Sequence, residues 1–190
     1  MTRLGRRVSP WLLVLAASMG LGAEPPVLDD LDGRSIKPLE APDAVATVLV
    51  FVRTDCPISN RYAPDIRRLR ESFHGRGIVF WLVYVDPGES AEALRAHLRE
   101  YDYGVEALRD PEHLLAGRAG ARVTPEAAVF GRKQELLYRG RIDDRYSGFG
   151  EARPQATRRD LEQALLAILS GKKPSPARTD AVGCYISDLR

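Results

Sequence analysis

ATVLVFVRTDCPISN, residues 46–60, carries two periodicities on either side of a cysteine. Residues 46–53 are a continuous β-branched and apolar run, the composition of a central strand buried on both faces. Beyond the cysteine, Tyr62, Ile66, Leu69 and Phe73 recur at helical spacing over residues 60–74, and Gly75 and Gly77 end that helix. Cys56 lies in the turn between strand and helix. It is either a reactive thiol at a helix start or a small apolar residue.

Working outward, residues 78–86 (IVFWLVYVD) read as a second buried strand. Ser90 is placed to cap a second helix with Ala91, Leu94, Leu98 and Tyr101 on one face. Residues 111–119 fit a short third helix. Residues 126–130 and 135–141 fit two strands around a turn at Gly131-Arg132-Lys133. Thr157 and Asp160 resemble a capping box, and Leu161, Leu165, Ile168 and Leu169 line a last helix ended by Gly171. A helix joins the first two strands, so they should be parallel, and the last two should form a hairpin. The expected fold class is α/β, a central mixed sheet with helices on both faces.

The chain opens with Arg3, Arg6 and Arg7, followed by the apolar residues 11–19 and the small residues Gly22 and Ala23 before Glu24. That three-part order predicts a signal peptide over residues 1–23. The expected location is periplasmic or secreted, where disulfides persist. The expected domains are 24–172 and a Pro-rich tail, 173–190, which carries the second cysteine and has little core-forming content. With 28 basic and 26 acidic residues, the charge balance argues against nucleic acid and against an anionic membrane as partner.

A thiol at a helix N-terminus faces unpaired backbone N–H groups and the positive end of the helix dipole. Both favour the thiolate, which attacks disulfides, reduces peroxides or binds soft metals. Arg53 and Arg61 could add to that effect, and Asp55 opposes it. No phosphate-cradling glycine motif is present, so no organic cofactor is implied, and no metal is assigned. The histidines take structural readings: His74 near a helix end, His97 beside an apolar stripe, and His113 in the short third helix. Asp143 and Asp144 are expected to cap or turn the chain after the hairpin, and Trp81 is expected in the core.

The order of elements resembles the thioredoxin fold, in which a reactive cysteine begins the helix after the central strand. Cys56-Pro57-Ile58-Ser59 stands where that family has Cys-x-x-Cys, Pro64 matches its helix-kinking proline, and Arg122-Val123-Thr124-Pro125 resembles its cis-proline loop. TPEAAVF followed by LLYRGRIDD points within the superfamily to the redoxins of the alkyl hydroperoxide reductase and thiol-specific antioxidant (AhpC/TSA) group, in particular its peroxiredoxin-like proteins. The resemblance departs at two positions. Peroxiredoxins carry threonine or serine three residues before the cysteine and proline four before that, where this chain has Arg53 and Leu49.

What the resemblance implies is an exported thiol redox protein in which Cys56 attacks a disulfide or peroxide. Its partner would be a thiol or disulfide protein or a small peroxide. Pro57, Ser59, Thr124 and Pro125 would shape the groove, with a cis bond at Thr124–Pro125 turning backbone towards Cys56. Cys184 is open to three readings: a resolving thiol within the chain or across a homodimer, half of a structural disulfide, or an unpaired cysteine. Two other functions are compatible with the fold. One is a binding module without redox activity. The other is copper handling, for which the two cysteines and three histidines are a thin ligand set, since Met1 and Met19 fall in the signal peptide.

Overall fold

A computed structural model describes residues 24–187 of the chain. Residues 1–23, where a signal peptide is expected, lie outside the described residues. Among the described residues no helix is long and apolar enough to cross a membrane.

The elements run in chain order as β1 (Leu28–Asp29), β2 (Ser35–Ile36), β3 (Ala46–Val52), α1 (Pro57–Arg61), α2 (Ala63–Phe73), β4 (Ile78–Tyr84), α3 (Ala91–Tyr101), β5 (Ala107–Arg109) and α4 (Leu114–Ala119). They continue as β6 (Val123–Thr124), β7 (Glu126–Gly131), β8 (Leu136–Gly140), β9 (Tyr146–Gly148), β10 (Glu151–Ala152), α5 (Asp160–Leu169) and β11 (Cys184–Tyr185). Five strands form the central sheet in the order β5-β4-β3-β7-β8. The β3–β4 and β4–β5 pairs are parallel, and the β3–β7 and β7–β8 pairs are antiparallel. This is the mixed sheet expected from the crossover and the hairpin.

Every residue of β3 is buried, as its unbroken apolar sequence requires. Val48, Val50 and Val52 face the layer built by Ile66, Leu69, Leu94 and Leu165. Leu49 and Phe51 face the opposite layer, with Leu115, Ala119 and Phe130. Helices therefore cover both faces, and the period of two along β3 divides one strand between two cores.

Local differences from the expected elements have identifiable causes. The first helix is two helices, because Tyr62 closes α1 and Pro64 sits in the opening turn of α2, where its missing N–H costs nothing. The short third helix begins later than expected. His113 precedes it in a left-handed conformation (φ 56°), and the carboxylate of Asp110 accepts from the backbone N–H groups of Leu114 and Ala116. Ser90 caps α3 as expected, its hydroxyl accepting from Ala93 N at 3.2 Å. Trp81 is only partly buried and packs at the margin of the second core. Strand β5 has no periodicity of its own; its place is set by pairing with β4.

The capping box at Thr157 and Asp160 does not form. The N-cap of α5 is Arg159, which makes no side-chain capping bond. Asp160 instead accepts from Arg141 at 2.8 Å, and Thr157 turns to Asp144. The Asp144 carboxylate accepts from Thr157 N at 2.7 Å, Thr157 Oγ1 at 2.5 Å and Arg158 N at 2.8 Å. These bonds hold its pKa down at about 2. Asp144→Ala should therefore lower the unfolding free energy by about 1.5–3 kcal/mol, the usual worth of hydrogen bonds to a charged group. Because the folded pKa is depressed, the contribution of Asp144 is complete above the ordinary carboxylate range and is lost as pH falls towards 2. Urea midpoints measured against pH should show a shallower acid limb in the variant.

The tail is also more ordered than its composition predicts. Thr179 N donates to Arg139 O at 3.1 Å, and Thr179 Oγ1 accepts from Arg141 N at 3.1 Å. Gly140 (φ 148°) is the residue against which Thr179 packs, leaving no room for a side chain. Further on, β11 pairs antiparallel with β6, Cys184 opposite Thr124 and Tyr185 opposite Val123. Ile186 then buries its side chain in the second core. The sparse apolar residues of the tail are thus spent on an existing core rather than on one of their own.

Candidate active site

Strand β3 ends at Val52, and the turn that follows delivers Cys56 as the N-cap of α1. Pro57 stands at the start of the helix, where its fixed φ suits the first turn. Asn60 fixes this turn from the helix side, its Nδ2 donating to Thr54 O at 3.1 Å. Its Oδ1 lies 2.9 Å from His97 Nε2, and His97 Nδ1 lies 2.8 Å from the Tyr84 hydroxyl. Since Asn60 Oδ1 can only accept, Nε2 carries the proton and Tyr84 donates to Nδ1. Burial lowers the pKa of His97 and keeps this chain of bonds in its neutral form.

Cys56 is fully buried. Its Sγ donates to Thr124 O at 3.0 Å. The Thr124–Pro125 bond is cis, as is Ser175–Pro176. The second thiol, Cys184, lies on β11 opposite Thr124, the residue whose carbonyl accepts from Cys56, and both cysteines are free. Burial acts to raise the pKa of Cys56. The donor side chains around the sulfur, those of Cys184, Ser59 and Thr124, outweigh it, and the net shift is downward. The Ser59 hydroxyl is buried and has no partner in the thiol form, so the thiolate gains a donor that the thiol does not use. Cys184 moves the other way, pushed up to about 12 by burial, by its bond to Cys56 and by the negative charge there.

The sequence-predicted residues Cys56, Cys184, Ser59 and Thr124 therefore meet at one point. Pro57 and Pro125 flank it in the chain, Pro57 exposed and Pro125 buried. Arg53 does not support Cys56 as expected. Its guanidinium binds Asp55 at 3.0 and 3.1 Å and Asp86 at 3.1 Å, and donates to Tyr185 O at 3.4 Å. Arg61 is exposed. The Thr54 hydroxyl donates to Glu89 at 2.6 Å. Asp143 is taken up by Tyr62, Asp144 by Thr157, and Arg141 by Asp160. Among the described residues no group of three or more His, Cys, Asp or Glu is placed to hold a metal ion.

The site roles of four residues escaped the sequence reading. Glu126, buried directly after Pro125, accepts from Arg122 N at 2.8 Å and Val123 N at 3.4 Å and so braces the loop that carries Thr124. Asn60 and His97 fix the turn before Cys56. Gly183 lets the tail approach β6. The clue to Gly183 is its place beside Cys184 in AVGCYI; nothing local marks Glu126.

The family model described as AhpC/TSA matches residues 23–139. The chain belongs to the AhpC/TSA family. No curated protein matches it. Among solved structures, a hypothetical protein from Sinorhizobium meliloti 1021 is 27% identical, with a TM-score of 0.72 over 84% of this chain and 88% of that one. An uncharacterized conserved protein from Geobacillus kaustophilus is 25% identical, with a TM-score of 0.73 over 86% of this chain and 88% of that one. A secreted Mycobacterium tuberculosis disulfide oxidoreductase, homologous to E. coli DsbE, shares the thioredoxin-like fold at 14% identity, with a TM-score of 0.54 over 77% of this chain and 96% of that one.

Proposed function

We propose that this AhpC/TSA protein is an exported thiol–disulfide redox protein in which Cys56 attacks and Cys184 resolves. One observation carries the proposal: β11 sets Cys184 opposite Thr124, whose carbonyl bonds Cys56, the thiol whose surroundings favour the thiolate. In the first step the Cys56 thiolate attacks a substrate disulfide, forming a Cys56–substrate mixed disulfide and releasing one substrate thiolate, which takes up a proton. In the second, Cys184 loses its proton and attacks Cys56 Sγ. The Cys56–Cys184 bond forms, and the second substrate thiol leaves. The protein dithiol is oxidised, the disulfide is reduced, and an external thiol restores the dithiol.

Peroxide is the second reading, through a sulfenic acid at Cys56 and loss of water as Cys184 closes the bond. Arg53 weighs against it. It occupies the position of the family's peroxide-side hydroxyl, and its guanidinium is committed to Asp55 and Asp86. Export, either to the periplasm or outside the cell, is proposed from the signal-like first residues.

The test is to treat the reduced full chain with a small excess of oxidised glutathione or of hydrogen peroxide and to map the products by peptide mass. The expected product is an intramolecular Cys56–Cys184 bond, formed faster with the disulfide than with the peroxide. A chain with both thiols still free after prolonged exposure to either oxidant would refute the proposal. A bond formed only between two chains would transfer resolution to a homodimer.

A further inference from the structure

Cys56 is fully buried, yet its chemistry needs an incoming sulfur or oxygen atom. The tail is docked beside it: β11 sets Cys184 opposite Thr124, the residue whose carbonyl accepts from Cys56 Sγ. Gly183, Cys184, Tyr185 and Ile186 lie across β6, and the contact is closely fitted. A Cβ at Gly183 would overlap the Thr124 carbonyl, so only glycine allows this approach. Thr124 Oγ1 donates to Cys184 O at 3.4 Å, Ile186 N donates to Arg122 O at 2.9 Å, and Arg53 reaches Tyr185 O. Upstream, Thr179 is pinned to Arg139 and Arg141. Between the two anchors Asp180 is exposed. Tyr185 also faces solvent, so the clasp consists of a two-residue ladder, the few bonds just named, the buried Ile186 and the part-buried Val182 and Cys184. So short a clasp opens locally at far lower cost than the five-stranded sheet.

We propose that residues 180–187 are a displaceable lid, hinged at Thr179 and clasped at Gly183 and Ile186, and that Cys56 meets its oxidant only when the lid is lifted. The proposal rests on Cys56 as attacking thiol. Lifting uncovers Cys56 and the β6 edge together, and redocking returns Cys184 to the sulfur it must attack. Attack and resolution thus belong to two positions of one segment. An extended partner chain that used the β6 edge would have to displace the lid, whereas a small disulfide needs only its transient opening.

The experiment follows alkylation of Cys56 by iodoacetamide in the reduced full chain, read site by site by peptide mass, at increasing sub-denaturing urea. Amide exchange of Ile186 and of β3 is measured under the same conditions. Local opening exposes little surface, so the Cys56 rate should depend weakly on urea, and the Ile186 amide should exchange well before those of β3. Gly183→Ala should raise Cys56 alkylation about tenfold or more, the effect of losing one to two ladder bonds, while β3 protection is unchanged. It should also slow closure of the Cys56–Cys184 bond. Ile186→Ala should act in the same direction, and it decides the matter if Gly183→Ala fails to fold. A Cys56 rate that follows the urea slope of global unfolding, or that neither variant changes, would overturn the lid. Failure of the attacking-thiol reading looks different: the thiols would stay unpaired under oxidant while alkylation still responded to the variants.

Discussion

Cys184→Ser protein, mixed with an equivalent of a small disulfide, is expected to hold Cys56 as a stable mixed disulfide, and hydrogen peroxide should leave it as a sulfenic acid. Steady turnover with an external thiol should be lost or depend on that thiol's direct attack. Cys56→Ser protein should show no turnover, and Cys184, still raised by burial, should form its adduct much more slowly than Cys56 does at neutral pH. The asymmetry comes from the environments of the two sulfurs. Cys184 is held at about 12, so at pH 7 roughly one molecule in 10⁵ carries its thiolate. Cys56 is lowered and keeps a far larger thiolate fraction.

The same electrostatics order the two steps. Burial, the bond to Cys56 and the charge on Cys56 all raise Cys184. When Cys56 enters a mixed disulfide its negative charge is gone, and two of those three causes go with it. Cys184 then becomes more acidic at the moment it is needed. Mass spectrometry of the two variants after a short oxidant pulse separates the roles. An adduct on Cys184 in the Cys56→Ser protein, formed as fast as the Cys56 adduct in the other variant, would reverse the assignment.

The strands and helices that build the sheet were legible because their burial is written in local periodicity. Residues 46–53 and 78–86 are apolar on both faces, and the spacing of Ile66, Leu69 and Phe73 could serve only a helix packed on them. Cys56 was legible for the same reason: strand and helix patterns meet on either side of it. What was not legible depends on contacts between distant segments. Asp144 displaces a plausible capping box by binding Thr157 from across a loop. Arg53, beside Cys56 in sequence, is turned away by Asp86 and towards Tyr185. Ile186 is the one tail residue buried in the second core, and the tail has no periodicity, so its pairing with β6 appears only when both segments are placed.

Glu126→Ala should be among the most destabilising substitutions in the chain, at about 3–5 kcal/mol, the usual cost of removing one partner from a buried charged pair. Glu126 is buried, and its Oε1 lies 3.4 Å from Arg139 Nε, which has no hydrogen-bond partner of its own. Its Oε2 takes the backbone N–H groups of Arg122 and Val123. Alanine would leave those N–H groups and Arg139 Nε without a nearby acceptor, although Arg139 Nη1 keeps its bond to Gly120 O. The damage should not stop at stability. Val123 and Thr124 are the β6 residues on which the tail docks, and Thr124 O is the acceptor for Cys56. Loosening them should free Cys184 and uncover Cys56, so alkylation of Cys56 should accelerate in Glu126→Ala under conditions where the sheet is still folded. Glu126→Gln keeps the size and one acceptor oxygen, and should fall between wild type and alanine in both measurements. Urea unfolding gives the first quantity and site-resolved alkylation the second. If Glu126→Ala stays within about 1 kcal/mol of wild type, the worth of a single ordinary hydrogen bond, the carboxylate does not brace the loop, and the position of Thr124 beside Cys56 must be held by the sheet alone.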